Sequence, residues 1–205
     1  MLVSIVDYGM GNILSITNAL EYLGVDVILT YKETELRNSD KIILPGVGSF
    51  RVAMQNLKER KLDVILNELV MKEHKDILGI CLGMQLFASG SDEDGFSEGL
   101  GWFSSVVKNM SDKLDDNVKV PHIGFESIET TKKSILYKDI RNHSDFYFVH
   151  SFSMENIYDE ITSTYNIGNT SIVASIEKDN IFGVQFHPEK SQDNGLRLLK
   201  NFLQK

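Results

Sequence analysis

Cys81 is the sole cysteine of the chain and stands in Gly79-Ile80-Cys81-Leu82-Gly83, where the apolar run Ile77 to Ile80 ends. Gly-x-Cys-x-Gly is the spacing of a nucleophile elbow with sulfur in place of oxygen. The flanking glycines permit a sharp strand-to-helix turn that lifts the nucleophile clear of a sheet. At the start of the helix that follows, partial positive charge favours thiolate, the reactive form of the group. A second run, Gly183-Val184-Gln185-Phe186-His187-Pro188-Glu189, ends a strand with a histidine and places a carboxylate two residues on. Residues i and i+2 share a side in extended geometry, so Glu189 is placed to hold one imidazole nitrogen while the other faces a thiol. That is the orienter, base and nucleophile arrangement of covalent acyl transfer. Alone, a His-x-Glu is more often structural and a free cysteine more often inert; their joint occurrence points to catalysis. Acyl transfer also needs donors for a developing oxyanion. The backbone N–H of Leu82 is one, and the turn Pro45-Gly46-Val47-Gly48 is placed to supply another from Val47 or Gly48.

These groups must be carried to one place by the fold. Leu2 to Val6 followed by Asp7-Tyr8-Gly9-Met10-Gly11-Asn12, with Ile13, Ile16, Leu20 and Leu23 at helical spacing, reads as strand, glycine-rich turn and helix. Val25 to Leu29, Lys41 to Leu44 and Ile77 to Ile80 read as further strands, with a helical pattern from Phe50 to Met71. Alternation of strand and helix predicts a parallel sheet covered on both faces. In the second half Val118 to Val120, Phe146 to Val149, Ile161 to Tyr165, Ile172 to Ile176 and Ile181 to Gln185 are β-type runs with few helical intervals, which predicts antiparallel or mixed pairing. Leu196, Leu199, Phe202 and Leu203 predict a closing amphipathic helix, and the polar stretch Ser89 to Gly101 a surface loop. The three prolines, Pro45, Pro121 and Pro188, mark loops leaving strand ends, where α/β proteins build their sites.

The 205 residues are read as one α/β domain, residues 1–205. A net charge of −8 without a basic stripe argues against a nucleic-acid partner. One cysteine forms no internal disulfide, and the first residues lack the basic region and apolar core of a signal peptide, so a cytoplasmic location is expected. No apolar stretch approaches the roughly 20 residues that cross a bilayer, so no membrane is expected as partner. Five histidines without ligand spacing give no metal site. Gly9-Met10-Gly11-Asn12 lacks the third glycine of a dinucleotide fingerprint, so no cofactor is expected.

Gly79 to Gln85 together with Gln185-Phe186-His187-Pro188-Glu189 resembles the class I (triad) glutamine amidotransferases. Asp7 to Asn12, Leu44 to Gly48, Val120 to Gly124, Tyr147 to Ser151 and Pro188 to Gln192, in that order, resemble one subgroup of them. That subgroup comprises the glutaminase subunits of histidine biosynthesis, whose ammonia goes into imidazole glycerol phosphate. The resemblance implies a flavodoxin-like domain with a central, mostly parallel sheet, helices on both faces and additional antiparallel strands in its second half. It implies that Cys81 attacks the side-chain amide of L-glutamine, that His187 transfers protons, and that Glu189 orients His187. Ammonia then leaves a glutamyl thioester that water resolves. Gly46, Gln85, Glu93, His150, Ser151 and Phe152 fall where the family holds glutamine, Glu93 being suited to the substrate ammonium. A (β/α)₈-barrel synthase subunit is the implied partner, with Asn12, Phe125, Tyr147 and Lys190 at the interface. In one departure, the family usually carries tryptophan and asparagine after Gly124, where this chain has Phe125-Glu126. The added charge is expected on the docking face and admits a paralogue feeding another synthase, such as one amidating a sugar; a stand-alone γ-glutamyl cysteine hydrolase on the same fold is a separate alternative.

Overall fold

Strands separated by helical crossovers pair in parallel, because a hairpin is not available to them. The computed structural model describes residues 1–115, 118–155 and 157–205. In it β1 (Leu2–Val6), β2 (Asp26–Thr30), β3 (Lys41–Leu44) and β4 (Ile77–Ile80) alternate with α1 (Ile13–Tyr22), α2 (Glu33–Asn38), α3 (Phe50–Glu59) and α4 (Leu62–Asn67). Every residue of β3 and β4 is buried, as strands covered on both faces require. The helical pattern from Phe50 to Met71 is broken at Lys61, whose φ of 58° separates α3 from α4, and ends in a π-helical turn, Glu68–Lys72.

After Cys81 the one-turn helix α5 (Leu82–Gln85) leads into β5 (Ala88–Ser91), β6 (Ser97–Glu98) and β7 (Phe103–Asn109). Then come β8 (His122–Ser127), β9 (Glu129–Thr130), β10 (Asp145–His150), β11 (Phe152–Glu155), β12 (Ile161–Ile167), β13 (Thr170–Lys178), β14 (Ile181–Val184) and α6 (Gln192–Leu203). The large sheet has the order β2-β1-β3-β4-β14-β13-β12-β9. Its first five strands are parallel and its last three antiparallel; the second half is mixed, since its strand β14 joins the parallel set.

Two local expectations are corrected. Ser89 to Gly101 is not simply a surface loop: it contributes β5 and β6 to a second sheet of order β11-β7-β5-β6. Its glycines and serines are turn formers by composition, yet Gly90 and Ser91 are buried and held by the backbone ladder, which needs no apolar side chain. Val118 to Val120 forms no strand, because β8 begins only at His122, opposite the last residue of its partner β10.

Apolar side chains cover both faces of the large sheet. Phe50, Leu57, Leu66 and Phe87 pack on one face, and Leu20, Phe148, Phe186 and Phe202 on the other. Helix α6 lies so close to the turn after His187 that a Cβ on Gly195 would stand 1.8 Å from the Pro188 carbonyl oxygen. Alanine is favoured over glycine inside helices by about 1 kcal/mol, but a clash with backbone cannot be relieved by rotating a side chain. We expect Gly195→Ala to lower the denaturation midpoint and to cost more than about 3 kcal/mol, the upper end of ordinary overpacking. Gly124→Ala, with nothing within 4 Å of the added methyl, should leave stability unchanged. Equal midpoints for the two variants in urea titrations would show that α6 does not need this approach.

Candidate active site

Cys81 occupies the end of β4 with φ 54° and ψ −112°, a strained conformation for a residue with a side chain. Two contacts hold it there. Its backbone N–H donates to Val184 O at 2.8 Å, and Gly83 lets the elbow press on the end of β3, where a Cβ would stand 1.8 Å from Leu44 O. The residue is 6% exposed. The helix after it has a single turn, too few aligned peptides for the dipole expected there to carry weight. The donor to sulfur comes from a side chain instead: Gln185 Nε2 lies 3.6 Å from Sγ, while the thiol donates to Val149 O at 3.9 Å.

His187 and Glu189 meet as the spacing predicts, although not by extended geometry. Pro188–Lys190 forms a 3₁₀ turn that folds Glu189 back, and His187 Nδ1 lies 2.8 Å from Glu189 Oε1. The Glu189 side chain is fully enclosed. His187 Nε2 is buried and meets no ordinary hydrogen-bond partner among the described residues, and Cys81 is the neighbour that most favours its charge. Burial opposes charge on His187, but Cys81 and Glu189 outweigh it and raise its pKa to about 9. Ser191 clamps this segment, donating to His187 O at 2.7 Å and accepting from Tyr147 N–H at 2.9 Å.

A cleft of about 280 Å³ opens onto Cys81, lined by Val47, Gly48, Leu82, Gln85, Glu93, Pro121, Val149, His150, Ser151 and Phe152. Three loops thus converge on the cysteine, but it is Pro121 and the Val47 and Gly48 turn that form walls, while His187 stands behind. As the first residue of α5, Leu82 has an N–H with no intrahelical acceptor. Gly46 does not line the cleft; it is packed between the Tyr8 hydroxyl and Leu82. Glu93 accepts from the N–H of Phe50 at the start of α3, at 2.7 Å through Oε2, leaving Oε1 for a ligand. Gln85 and His150 line the cleft with their side-chain donors committed to protein partners. Gln85 Nε2 donates to Phe152 O at 2.9 Å and to Gln185 Oε1 at 2.9 Å, so both its N–H groups are used. His150 Nδ1 bonds Phe152 O at 2.8 Å and its Nε2 faces Tyr165 Oη at 2.9 Å. Desolvation, first among its causes, pushes the His150 pKa down to about 4, so the ring is neutral. These two residues fix the Phe152 wall and leave a ligand no side-chain donor of their own. The sequence pattern marks no role for Gln185 or for Tyr8, whose hydroxyl donates to Pro45 O at 2.6 Å and anchors the turn beside the cleft. Burial, with Cys81 nearby, pushes that hydroxyl above the usual phenol range. The signals were a polar residue in an apolar run and a tyrosine before a glycine turn.

Of the residues expected at a partner interface, Phe125 and Tyr147 face each other across β8 and β10 with ring centroids 5.4 Å apart. Lys190 Nζ lies 5.6 Å from the Tyr147 ring centre. The side chain of Asn12, just before α1, donates to Ser15 Oγ at 2.9 Å. Strand β8 alternates: Phe125 is 47% exposed, Ile123 is 60% exposed, and Glu126 faces inward. Glu126 Oε1 lies 3.1 Å from His122 Nε2. Its charge is therefore turned away from the face where it was expected, because successive strand residues point to opposite sides.

Residues 4–205 match the family model described as glutamine amidotransferase class-I. The chain is 45% identical over 201 residues to "Imidazole glycerol phosphate synthase subunit HisH 1" of Campylobacter jejuni, covering 98% of each chain. It is 40% identical over 207 residues to "Imidazole glycerol phosphate synthase subunit HisH" of Pelagibacter ubique, covering 99% of each. A crystal structure of a glutamine amidotransferase superposes with a TM-score of 0.76 at 17% identity, covering 98% of this chain and 97% of that one. The structure of PurLQS from Thermotoga maritima superposes with a TM-score of 0.74 at 18% identity, covering 99% and 97%.

The two buried histidines predict the pH dependence of stability. His150 stays neutral in the fold down to about pH 4, while an unfolded histidine protonates near pH 6.5. The unfolded chain takes up that proton first, so stability falls as pH drops from about 6.5 to 4. His187 keeps its proton in the fold up to about pH 9, so its contribution is complete below about pH 6.5 and is lost as pH rises to about 9. The thermal midpoint should therefore peak near pH 6.5. His150→Gln should flatten the acid limb and Glu189→Gln the alkaline limb; a flat alkaline limb in the unaltered chain would refute a protonated His187.

Proposed function

From the premise that this chain belongs to the class-I glutamine amidotransferases, we propose that it hydrolyses L-glutamine at Cys81 and delivers the ammonia to a synthase subunit making imidazole glycerol phosphate. The observation that carries the chemistry is the buried pair His187 and Glu189, bonded through Nδ1, whose free Nε2 stands beside a thiol at the floor of a cleft. The cleft is smaller than the 300–1,000 Å³ or so of drug-sized sites, which suits a single amino acid.

In the reactive state His187 carries the proton that Cys81 has given up, as its raised pKa favours, and the thiolate attacks the side-chain carbonyl carbon of glutamine. The resulting oxyanion is received by the N–H of Leu82 and that of Val47 or Gly48. His187 returns the proton to the departing nitrogen, ammonia leaves, and a glutamyl thioester remains. Water, deprotonated by His187, then attacks the thioester; glutamate and the thiol are released. Glu189 stabilises the imidazolium that forms twice in this cycle. Glu93 Oε1 takes the substrate ammonium, and Ser151 and the Phe152 backbone bound the carboxylate end. The full described chain acts as one glutaminase domain.

The partner is a (β/α)₈-barrel synthase docked over the cleft mouth through Phe125, Tyr147 and Lys190, with Asn12 at its margin. The names of the HisH relatives, as subunits of a synthase, support an assembly of this kind. With Glu126 on the opposite side of β8, beside His122, the docking stripe presents apolar rings and one cation.

Glutamate release by the purified chain tests the proposal, alone and with a histidine-pathway synthase subunit plus its nucleotide ligand. Strong stimulation by the partner is expected. Cys81→Ser should reduce turnover by at least about 10³-fold with an unchanged fold. Phe125→Ala and Lys190→Ala should weaken association without moving the thermal midpoint. Full activity without stimulation would replace this reading by a stand-alone hydrolase, and silence in both conditions would direct the search to another synthase.

A further inference from the structure

We propose that Gln185 is a catalytic residue of this site: its side-chain N–H donates to the Cys81 sulfur and stabilises the attacking thiolate, in a polarity imposed by Gln85 and the Phe152 carbonyl. That the thiolate attacks glutamine rests on the reading above. The argument begins with an acceptor that has no alternative. Oxygen and nitrogen of a side-chain amide are alike in shape, so their orientation follows from the hydrogen-bond network. Phe152 O only accepts, so the Gln85 atom 2.9 Å from it is the NH₂ group. The second hydrogen of that NH₂ points to Gln185, also at 2.9 Å, and needs an acceptor there, which is Gln185 Oε1. Gln185 Nε2 is left facing Sγ at 3.6 Å. Reversing either amide would set donor against donor or acceptor against carbonyl, in a place where Gln185 is wholly buried and Gln85 nearly so. Burial makes such a mismatch costly.

The surroundings of the sulfur give this donor its task. The neutral thiol sends its hydrogen toward Val149 O. Once that hydrogen has gone to His187, the Val149 carbonyl faces a negative sulfur with nothing between them. Gln185 then supplies the fixed opposing dipole, and hydrogen bonds to charged acceptors are the stronger class. The sheet places it there: Ile80 pairs with Val184 in the parallel ladder, which makes Cys81 and Gln185 neighbours.

The test uses the full chain and iodoacetamide. Cys81 is the sole cysteine, so alkylation reports on it alone. Gln185→Leu should move the pH profile of alkylation upward by about one unit, read below the midpoint as an about tenfold slower reaction. Gln185→Glu, which sets a carboxylate against the sulfur, should move it further, and Gln85→Leu should move it in the same direction by less. Gln185→Met provides the measurement if the leucine variant does not fold, with thermal midpoints verifying each. An unshifted profile in a folded Gln185→Leu or Gln185→Met variant would overturn the proposal, even where the unaltered chain releases glutamate with its partner. A shifted profile in a chain that releases no glutamate with any synthase would uphold the role of Gln185 and refute the substrate.

Discussion

The parallel pairing of β4 with β14 is the constraint on which the site depends. Both strands are buried along their whole length and lie at the middle of the large sheet. The ladder matches Gly79 with Gly183 and Ile80 with Val184, so the two chains leave the sheet side by side, one as Cys81 and the other as Gln185. A slip of one residue would send alternate side chains to the opposite face of the sheet. It would also bury the wrong groups on both faces, so the core that stabilises the sheet also sets the distance between the proposed nucleophile and its neighbours. Two residues further on, on the side of Gln185, stands His187.

Around this pair the structure uses backbone carbonyls as fixed points. Phe152 O receives both Gln85 and His150, which saturates its two lone pairs and locks one wall of the cleft. Pro45 O receives Tyr8 and fixes the turn opposite. The two histidines nearest the cysteine are both buried and yet shift in opposite directions. His150 has a carbonyl and a phenol for company, and burial keeps it neutral. His187 has a carboxylate and a thiol, and these hold its proton. Environment alone separates a wall residue from the proposed proton carrier.

The surface beside the cleft follows from strand alternation. Phe125 and Tyr147 project outward from paired strands, while His122 and Glu126 turn inward from the same strand, β8. Ser191 joins the two regions, bonding both the backbone of Tyr147 and that of His187. Tyr147 O also accepts the N–H of His187 at 2.8 Å, so a partner seated on the aromatic stripe would rest on a residue bonded directly to the proposed base.

The alternating halves of the fold, the elbow at Cys81, the His187 and Glu189 pair and the turn at Pro45 to Gly48 were readable from residue types and spacing. Each is a local matter of short apolar runs, glycines at a sharp turn, and groups only a few residues apart. The sheet made of Ser89 to Gly101 was not, because its polar strands are held by backbone bonds that composition does not reveal. Nor were the assignments of Gln85, His150 and Gln185. Their partners stand between 15 and 104 residues away or depend on an acceptor two residues on in a different strand. The inward turn of Glu126 likewise depended on which face of β8 met the core. Local sequence specifies which groups are present and the turns that present them. Only the packed sheet decides which buried donor meets which acceptor, because that choice is made by long-range register and by the exclusion of water.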